Sequence, residues 1–232
     1  MCGRYTLASP NPAEVRARFN IAESVDVRQR YNVAPSDEVL AVTTDREGAA
    51  RGELLRWGLV PSWAKRPDTG LKMINARVET VSDRPAYKRA FERYRCLIPA
   101  DGFYEWRTTP DGGPKRAFHI RPADEDLFAF AGLWSIWYAP DGSKLRTCTI
   151  LTTAANEAIA PLHDRMPVIL AADHEHEWLD SSTPPHRLQD LIAGLPATRT
   201  ALRPVGSAVN DARYDGPECL AEPAPAAQGA LF

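Results

Sequence analysis

The stretch Arg95–Arg107, RCLIPADGFYEWR, reads as two runs of strand-forming residues split at Asp101-Gly102. Aromatic and branched side chains suit a pleated, half-buried surface, and Asp-Gly is a turn or bulge signal. Working outward, VLAVTT (39–44), ELLRWGLV (53–60), RAFHIRP (116–122), FAFAGLWSIWYAP (128–140), TCTILTTAA (147–155) and MPVIL (166–170) are further strand candidates. INARVET (74–80) looks extended, and PDGGPK (110–115) is a hairpin-type connection. Helices are expected over Pro12–Phe19, over SDRPAYKRAF (82–91) with Ser82 near its cap, and in DHEHEWLD (173–180) and HRLQDLIAG (186–194). Strands follow one another without regular intervening helices, which argues against a parallel doubly wound sheet. The reading is α+β: a single compact domain with a twisted, mostly antiparallel, barrel-like sheet flanked by short helices. Residues 1–220 form that domain, and 221–232 form a flexible tail rich in Pro and Ala.

The totals agree with a globular protein. The chain has 232 residues, 44% hydrophobic and 25% charged, enough for a substantial core. No apolar run reaches membrane-spanning length and no signal peptide opens the sequence, so the expected location is cytoplasmic, with no membrane partner. Cys2, Cys96, Cys148 and Cys219 are scattered without C-x-x-C spacing. They suggest neither a zinc site nor a disulfide framework; no metal or cofactor is expected. His174 and His176 lie two apart, a poor spacing for helical zinc binding, and are read as surface residues.

The formal net charge of −2 argues against indiscriminate nucleic-acid binding. Between Lys72 and Arg95, however, seven basic residues face three acidic ones. That excess fits a solvated helix face or a surface that tracks phosphates.

Chemistry concentrates at the start, MCGRYTL (1–7). Removal of Met1 would give Cys2 a free amine beside its thiol. An α-amino group has a pKa of about 7.7–8.0 against about 10.4 for lysine, so its neutral, nucleophilic fraction at pH 7 is some hundreds of times larger. Toward an aldehyde it forms a Schiff base, and the thiol then closes a five-membered thiazolidine. The alternative is a thiol acting on an acyl or amidine carbon with its own amine as base, as in an N-terminal-nucleophile peptidase or amidohydrolase. A third reading is a single-strand binding module in which Cys2 is decorative.

Either chemistry needs acid–base partners. Glu105 lies between Tyr104 and Trp106, where desolvation would raise its pKa, although an outward-facing strand glutamate fits too. His163, in PLHDRMPVIL, sits in a turn before an apolar strand, placed either to exchange protons near neutral pH or to serve structurally. Asn75 and Arg77 alternate with apolar residues and would share one face of an extended segment, along a groove or toward solvent. Trp63, in a breaker-rich loop, is the better candidate for an exposed stacking platform, with Pro35 after YNVA as a second apolar platform.

MCGRY, YNVAPS, RWGLVPSWA, INARVET, CLIPADGFYEW, LHDRMPVIL and VNDARYDGPE occur in order from residue 2 to about residue 218. Together they resemble the SOS-response-associated peptidase (SRAP) family. The resemblance implies a compact α+β domain that binds single-stranded DNA and shields abasic sites by forming a covalent DNA–protein crosslink of lyase type. Cys2 would be the nucleophile, Asn75 would orient sugar and amine, Glu105 would be the general acid/base, and His163 would assist ring opening. Arg4, Arg77 and Arg165 would hold phosphates, Pro35 and Trp63 would stack against bases, and Thr152 would line the pocket. The hydrolase implied by the family name would be limited to loss of Met1. Nothing in the sequence points beyond a monomer.

The chain ends QGALF, in which Gln228, Leu231 and Phe232 fit the Q-x-x-L-F pattern of peptides that dock on bacterial sliding clamps. Packing of Leu231 and Phe232 back onto the domain would leave the same sequence.

Overall fold

The computed structural model describes residues 2–9, 11–22, 27–109 and 112–224. Twelve strands are placed among them: β1 (Tyr5–Leu7), β2 (Arg30–Val33), β3 (Glu38–Thr44), β4 (Ala50–Trp57), β5 (Asn75–Arg77), β6 (Arg95–Ala100), β7 (Gly102–Arg107), β8 (Arg116–Pro122), β9 (Phe128–Tyr138), β10 (Lys144–Ala154), β11 (Arg165–Pro167) and β12 (Thr200–Pro204). Four short α-helices accompany them: α1 (Pro12–Arg18), α2 (Lys88–Arg93), α3 (Glu175–Leu179) and α4 (Pro185–Leu191). The architecture is α+β, as the sequence implied.

Strands β4, β3, β6, β9 and β10 pair in that order, and β10 returns to β4, closing a five-stranded barrel. Closure removes the sheet edges that would otherwise need protection. Most pairings are antiparallel; β10 runs parallel to β4 and to β5. Alternation sorts the side chains. Val39, Ala41, Leu55, Trp57, Cys96, Ile98, Phe128, Phe130, Cys148 and Ile150 form one buried cluster. Their neighbours Leu40, Val42, Leu97, Ala129, Leu133 and Leu151 pack with residues of the helices, among them Val15, Phe91, Trp178 and Leu188. Gly132 belongs to the first set by position. A Cβ there would lie 2.8 Å from Cys96 Sγ, so the bare backbone admits the facing strand's side chains.

A second sheet, in the order β12–β8–β7–β1–β2, contributes Tyr5, Val33, Phe103 and Ile120 to the same cluster as the barrel residues. Cys2 is buried in that cluster as well.

The two strand pieces read on either side of Asp101-Gly102 are β6 and β7, and the junction carries the chain from the barrel to the second sheet. Asp101 fixes the crossing, because its Oδ2 accepts the backbone N–H groups of Ala8 and Ser9, both at 2.7 Å. At Gly102 a Cβ would lie 2.0 Å from His119 Nε2, so only glycine fits. The helix expected over 82–91 is shorter and later; turns fill the Pro85 region and α2 starts at Lys88. By contrast α1 begins at Pro12, with an Asn11–Glu14 capping box.

No helix among the described residues is long and apolar enough to cross a membrane, and no group of three or more metal-type side chains occurs there. Gln228, Leu231 and Phe232 lie outside the described residues.

Candidate active site

The site gathers where the second sheet meets the end of the barrel strand β10. Tyr5 pairs with Phe103 of β7, and the Tyr104 N–H donates to Arg4 O at 3.0 Å. The chain start therefore runs beside the strand that carries Glu105. The Cys2 thiol also donates toward Arg4 O, at 3.7 Å. Across from it, β5 lies parallel to β10 with Asn75 opposite Ile150 and Arg77 opposite Thr152. Asn75 Nδ2 donates to Cys2 O at 2.8 Å, so the backbone at Cys2 is held by a side chain of β5. Asn75 Oδ1 is buried without a hydrogen-bond partner among the described residues, an acceptor left for something else.

Glu105 is buried, and burial pushes its carboxyl up to about 7, against the opposing pull of the amino-terminal charge. Burial, and then the Glu105 charge, raise the Cys2 thiol well above its ordinary value, so the thiol is held protonated. His163 is shifted downward by burial and by the same amino-terminal charge. Its Nδ1 accepts the Arg165 N–H at 2.9 Å, which makes it the bare nitrogen of the neutral ring. Asp164 Oδ1 lies 2.7 Å from that nitrogen and forms an ion pair only when the ring is protonated. Glu105, His163 and the chain start are thus in mutual electrostatic reach. Lys115, which sequence reasoning passed over, adds a positive charge acting on both Glu105 and His163.

The cations divide into two kinds. Arg77 and Trp63 are exposed, Trp63 to 65%, and Pro35 is half-buried. Arg165 is committed: its NH1 and NH2 donate to the two carboxylate oxygens of Glu79 at 2.7 and 2.9 Å. Arg4 NH1 donates to Asn32 Oδ1 at 2.9 Å and to Val209 O at 2.8 Å. Thr152 is buried, its hydroxyl 3.4 Å from Ala76 O. Asn32 is held in turn: its Nδ2 donates to Asp211 O and Tyr214 O, and its backbone N–H to Asp215 Oδ1. Asn32, Glu79 and Asp215 were not singled out as site residues, because their role is to hold other side chains and long-range pairing has no local signal. They do lie in or beside the quoted motifs YNVAPS, INARVET and VNDARYDGPE.

The sequence model of the SOS response associated peptidase (SRAP) family matches residues 1–212. The abasic site processing protein YoaM of Bacillus subtilis is 44% identical over 224 residues, covering 95% of this chain and 97% of that one. YoqW of the same organism, with the same descriptive name, is 42% identical over 224 residues, covering 95% and 99%. The abasic site processing protein HMCES of Gallus gallus is 38% identical over 191 residues, which span 72% of this chain and 56% of the bird protein. Among solved structures, a protein from Bacteroides thetaiotaomicron superposes with a TM-score of 0.84 at 21% identity, covering 96% of this chain and 100% of that one, a likeness of fold. A phage-related protein from Bordetella bronchiseptica reaches 0.70 at 29% identity, covering 88% and 94%. The chain belongs to the SOS response associated peptidase (SRAP) family.

Proposed function

We propose that this protein processes abasic sites, capturing them in single-stranded DNA as a thiazolidine crosslink through Cys2 once Met1 has been removed. The names of its relatives support the first part. The observation that carries the second is the convergence on Cys2: the Asn75 amide donates to its carbonyl, its thiol is buried, and the Glu105 carboxyl, near 7, acts on that thiol.

Hydrolysis of the Met1–Cys2 bond supplies the amine, and this is the only peptidase step the proposal needs. The neutral amine attacks C1′ of the ring-opened deoxyribose, forming a C–N bond while the carbonyl oxygen takes a proton. Glu105 in its acid form protonates that hydroxyl, which leaves as water and gives the imine. That imine keeps the nitrogen's own proton; the Cys2 sulfur then bonds to C1′, and the thiol proton returns to the Glu105 carboxylate, restoring its acid form. Aminothiol and aldehyde become ring and water with no change in oxidation state. A thiol kept protonated by burial needs a base at that moment, and a carboxyl titrating near 7 serves as both acid and base at neutral pH. His163 moves the proton during sugar-ring opening. Asn75 orients the amine through the Cys2 carbonyl and offers its Oδ1 to the sugar.

Arg77 supplies an exposed phosphate contact, with Trp63 and Pro35 as stacking surfaces. Arg4 contributes the N–H groups beyond NH1, whereas at Arg165 a phosphate has to share the guanidinium with Glu79. The tail residues Gln228, Leu231 and Phe232 are read as an anchor for a sliding clamp. A tail peptide lacking even millimolar affinity for a clamp would overturn that assignment.

The test of the capture step is a pair of variants on an abasic single strand. Cys2→Ala should give no adduct while retaining non-covalent binding. Cys2→Ser should give an adduct only when borohydride traps the imine. A stable adduct with Cys2→Ser would contradict ring closure by the thiol, and acylation of Cys2 by peptide in the absence of DNA would point instead to a thiol hydrolase.

A further inference from the structure

Beside the Trp63 loop lies a cleft of ≈ 380 Å³ whose walls include Trp63, Pro85, Arg89, Tyr94, Trp134 and Tyr138. The cleft is held open by bonds to its walls. Trp137 Nε1 donates to Ala64 O at 2.6 Å, pinning the Trp63 loop to β9, and the Trp134 N–H donates to Tyr94 O at 2.8 Å, pinning the end of α2 to the same strand. The rings of Tyr94 and Trp134 meet edge to face at 5.0 Å. Of the five large apolar or aromatic side chains exposed on the described surface, two, Trp63 and Tyr138, stand at this one cleft, Tyr138 being 56% exposed.

Positive charge surrounds the aromatics. Arg89 Cζ lies 5.4 Å from the Tyr94 ring centre, Arg146 Cζ 4.7 Å from that of Trp134, and Lys144 Nζ 5.8 Å from that of Tyr138. Arg84, Lys88 and Arg93 are exposed on or just before α2. Facing them are exposed Asp83 and Glu92, and Glu53, which pairs with Arg146 at 2.6 Å. The balance remains positive in a chain whose net charge is −2. Apolar ring faces set among cations are what a sequence-tolerant single-strand site requires, since bases stack and phosphates need counter-charge. A duplex keeps its base faces covered and cannot use the cleft.

We propose that this cleft is a second nucleic-acid subsite, which takes unpaired bases of the strand that carries the captured lesion. It rests on the single-strand reading above, in which Trp63, a wall of this cleft, is a stacking surface. The abasic pocket then holds the lesion while the cleft draws the flanking strand away from any complement.

The experiment measures equilibrium binding of the full chain to undamaged single strands of increasing length, for wild type, Tyr138→Ala, Arg89→Ala and the double variant. Crosslink yield on an abasic strand at saturating protein is measured alongside. Wild-type affinity should rise with length until the cleft is reached. The double variant should lose about tenfold on long strands and nothing on short ones, with a salt slope smaller by about one. Tyr138→Phe, which keeps the ring face, should restore most of the loss attributable to Tyr138→Ala, and crosslink yield should not change. Equal affinities of all variants at every length, or no rise of wild-type affinity with length, would overturn the subsite. A wild type that shows the length dependence but forms no crosslink would leave the subsite standing and remove the capture chemistry.

Discussion

Glu105 and Glu175 are both buried carboxyls, and burial pushes both from an ordinary 4.5 to about 7. Their surroundings differ. Both oxygens of Glu175 receive the Arg18 guanidinium, at 2.5 and 2.8 Å, tying α3 to α1 on the helical side of the barrel. Glu105 instead faces the charge of the chain's own amino terminus, with Lys115 and Asp164 near enough to act on it. A fixed guanidinium cannot be consumed, so the Glu175 pair is a clamp. In the proposed reaction Met1 is lost and the Cys2 amine becomes an imine, so the charge beside Glu105 would change and leave the carboxyl free to move protons. On that proposal the same titration value describes a strut at Glu175 and a tool at Glu105.

The largest effect should come from removing the tool. Glu105→Gln should slow single-turnover crosslinking at pH 7 by between about 10² and 10⁴-fold, the usual contribution of a placed acid–base group, without lowering the denaturation midpoint, since it also removes the cost of ionising a buried carboxyl. Crosslinking at the wild-type rate would erase the distinction between the two carboxyls. Next comes the strut: Arg18→Ala should cost about 2 kcal/mol in urea unfolding. That is less than breaking a fully buried pair, because Arg18 is 26% exposed and Glu175 can take up a proton near neutral pH.

Both carboxyls also predict a common pH response. Each has a folded pKa above its unfolded value, so each favours the folded state fully below about 4.5, and that contribution is lost as pH rises to about 7. Stability should fall with pH across this window, and Glu175→Gln should remove its share of the slope. A slope unchanged in that variant would mean that Arg18 keeps Glu175 ionised throughout. The smallest effect sharpens the contrast: Glu175→Gln should leave the crosslinking rate within about twofold of wild type.

Much of this was legible in the sequence for physical reasons. The aromatic and β-branched content of FAFAGLWSIWY and the proline at the start of α1 are local signals, and local rules place β9 and α1. Desolvation of Glu105 followed from its aromatic neighbours. What failed were facts of distance. That the Asp-Gly junction crosses between two sheets depends on backbone more than ninety residues earlier, at Ala8 and Ser9, which holds the aspartate. Barrel closure depends on parallel pairing of β10 with β4 and β5, which no short window contains. The sequence displays Arg165 as a free cation, because Glu79 lies far off along the chain. His119 was passed over entirely. It is buried beside Thr6, whose Oγ1 lies 3.1 Å from its Nε2, and burial holds its pKa down at about 3, so it stays neutral and structural.

The most direct test of covalent capture at Cys2 is the intact mass of the purified protein before and after incubation with a single strand bearing one abasic site. The account predicts a chain lacking Met1 that gains the mass of one oligonucleotide less one water, stable without borohydride. A chain lacking Met1 whose mass does not change would contradict it.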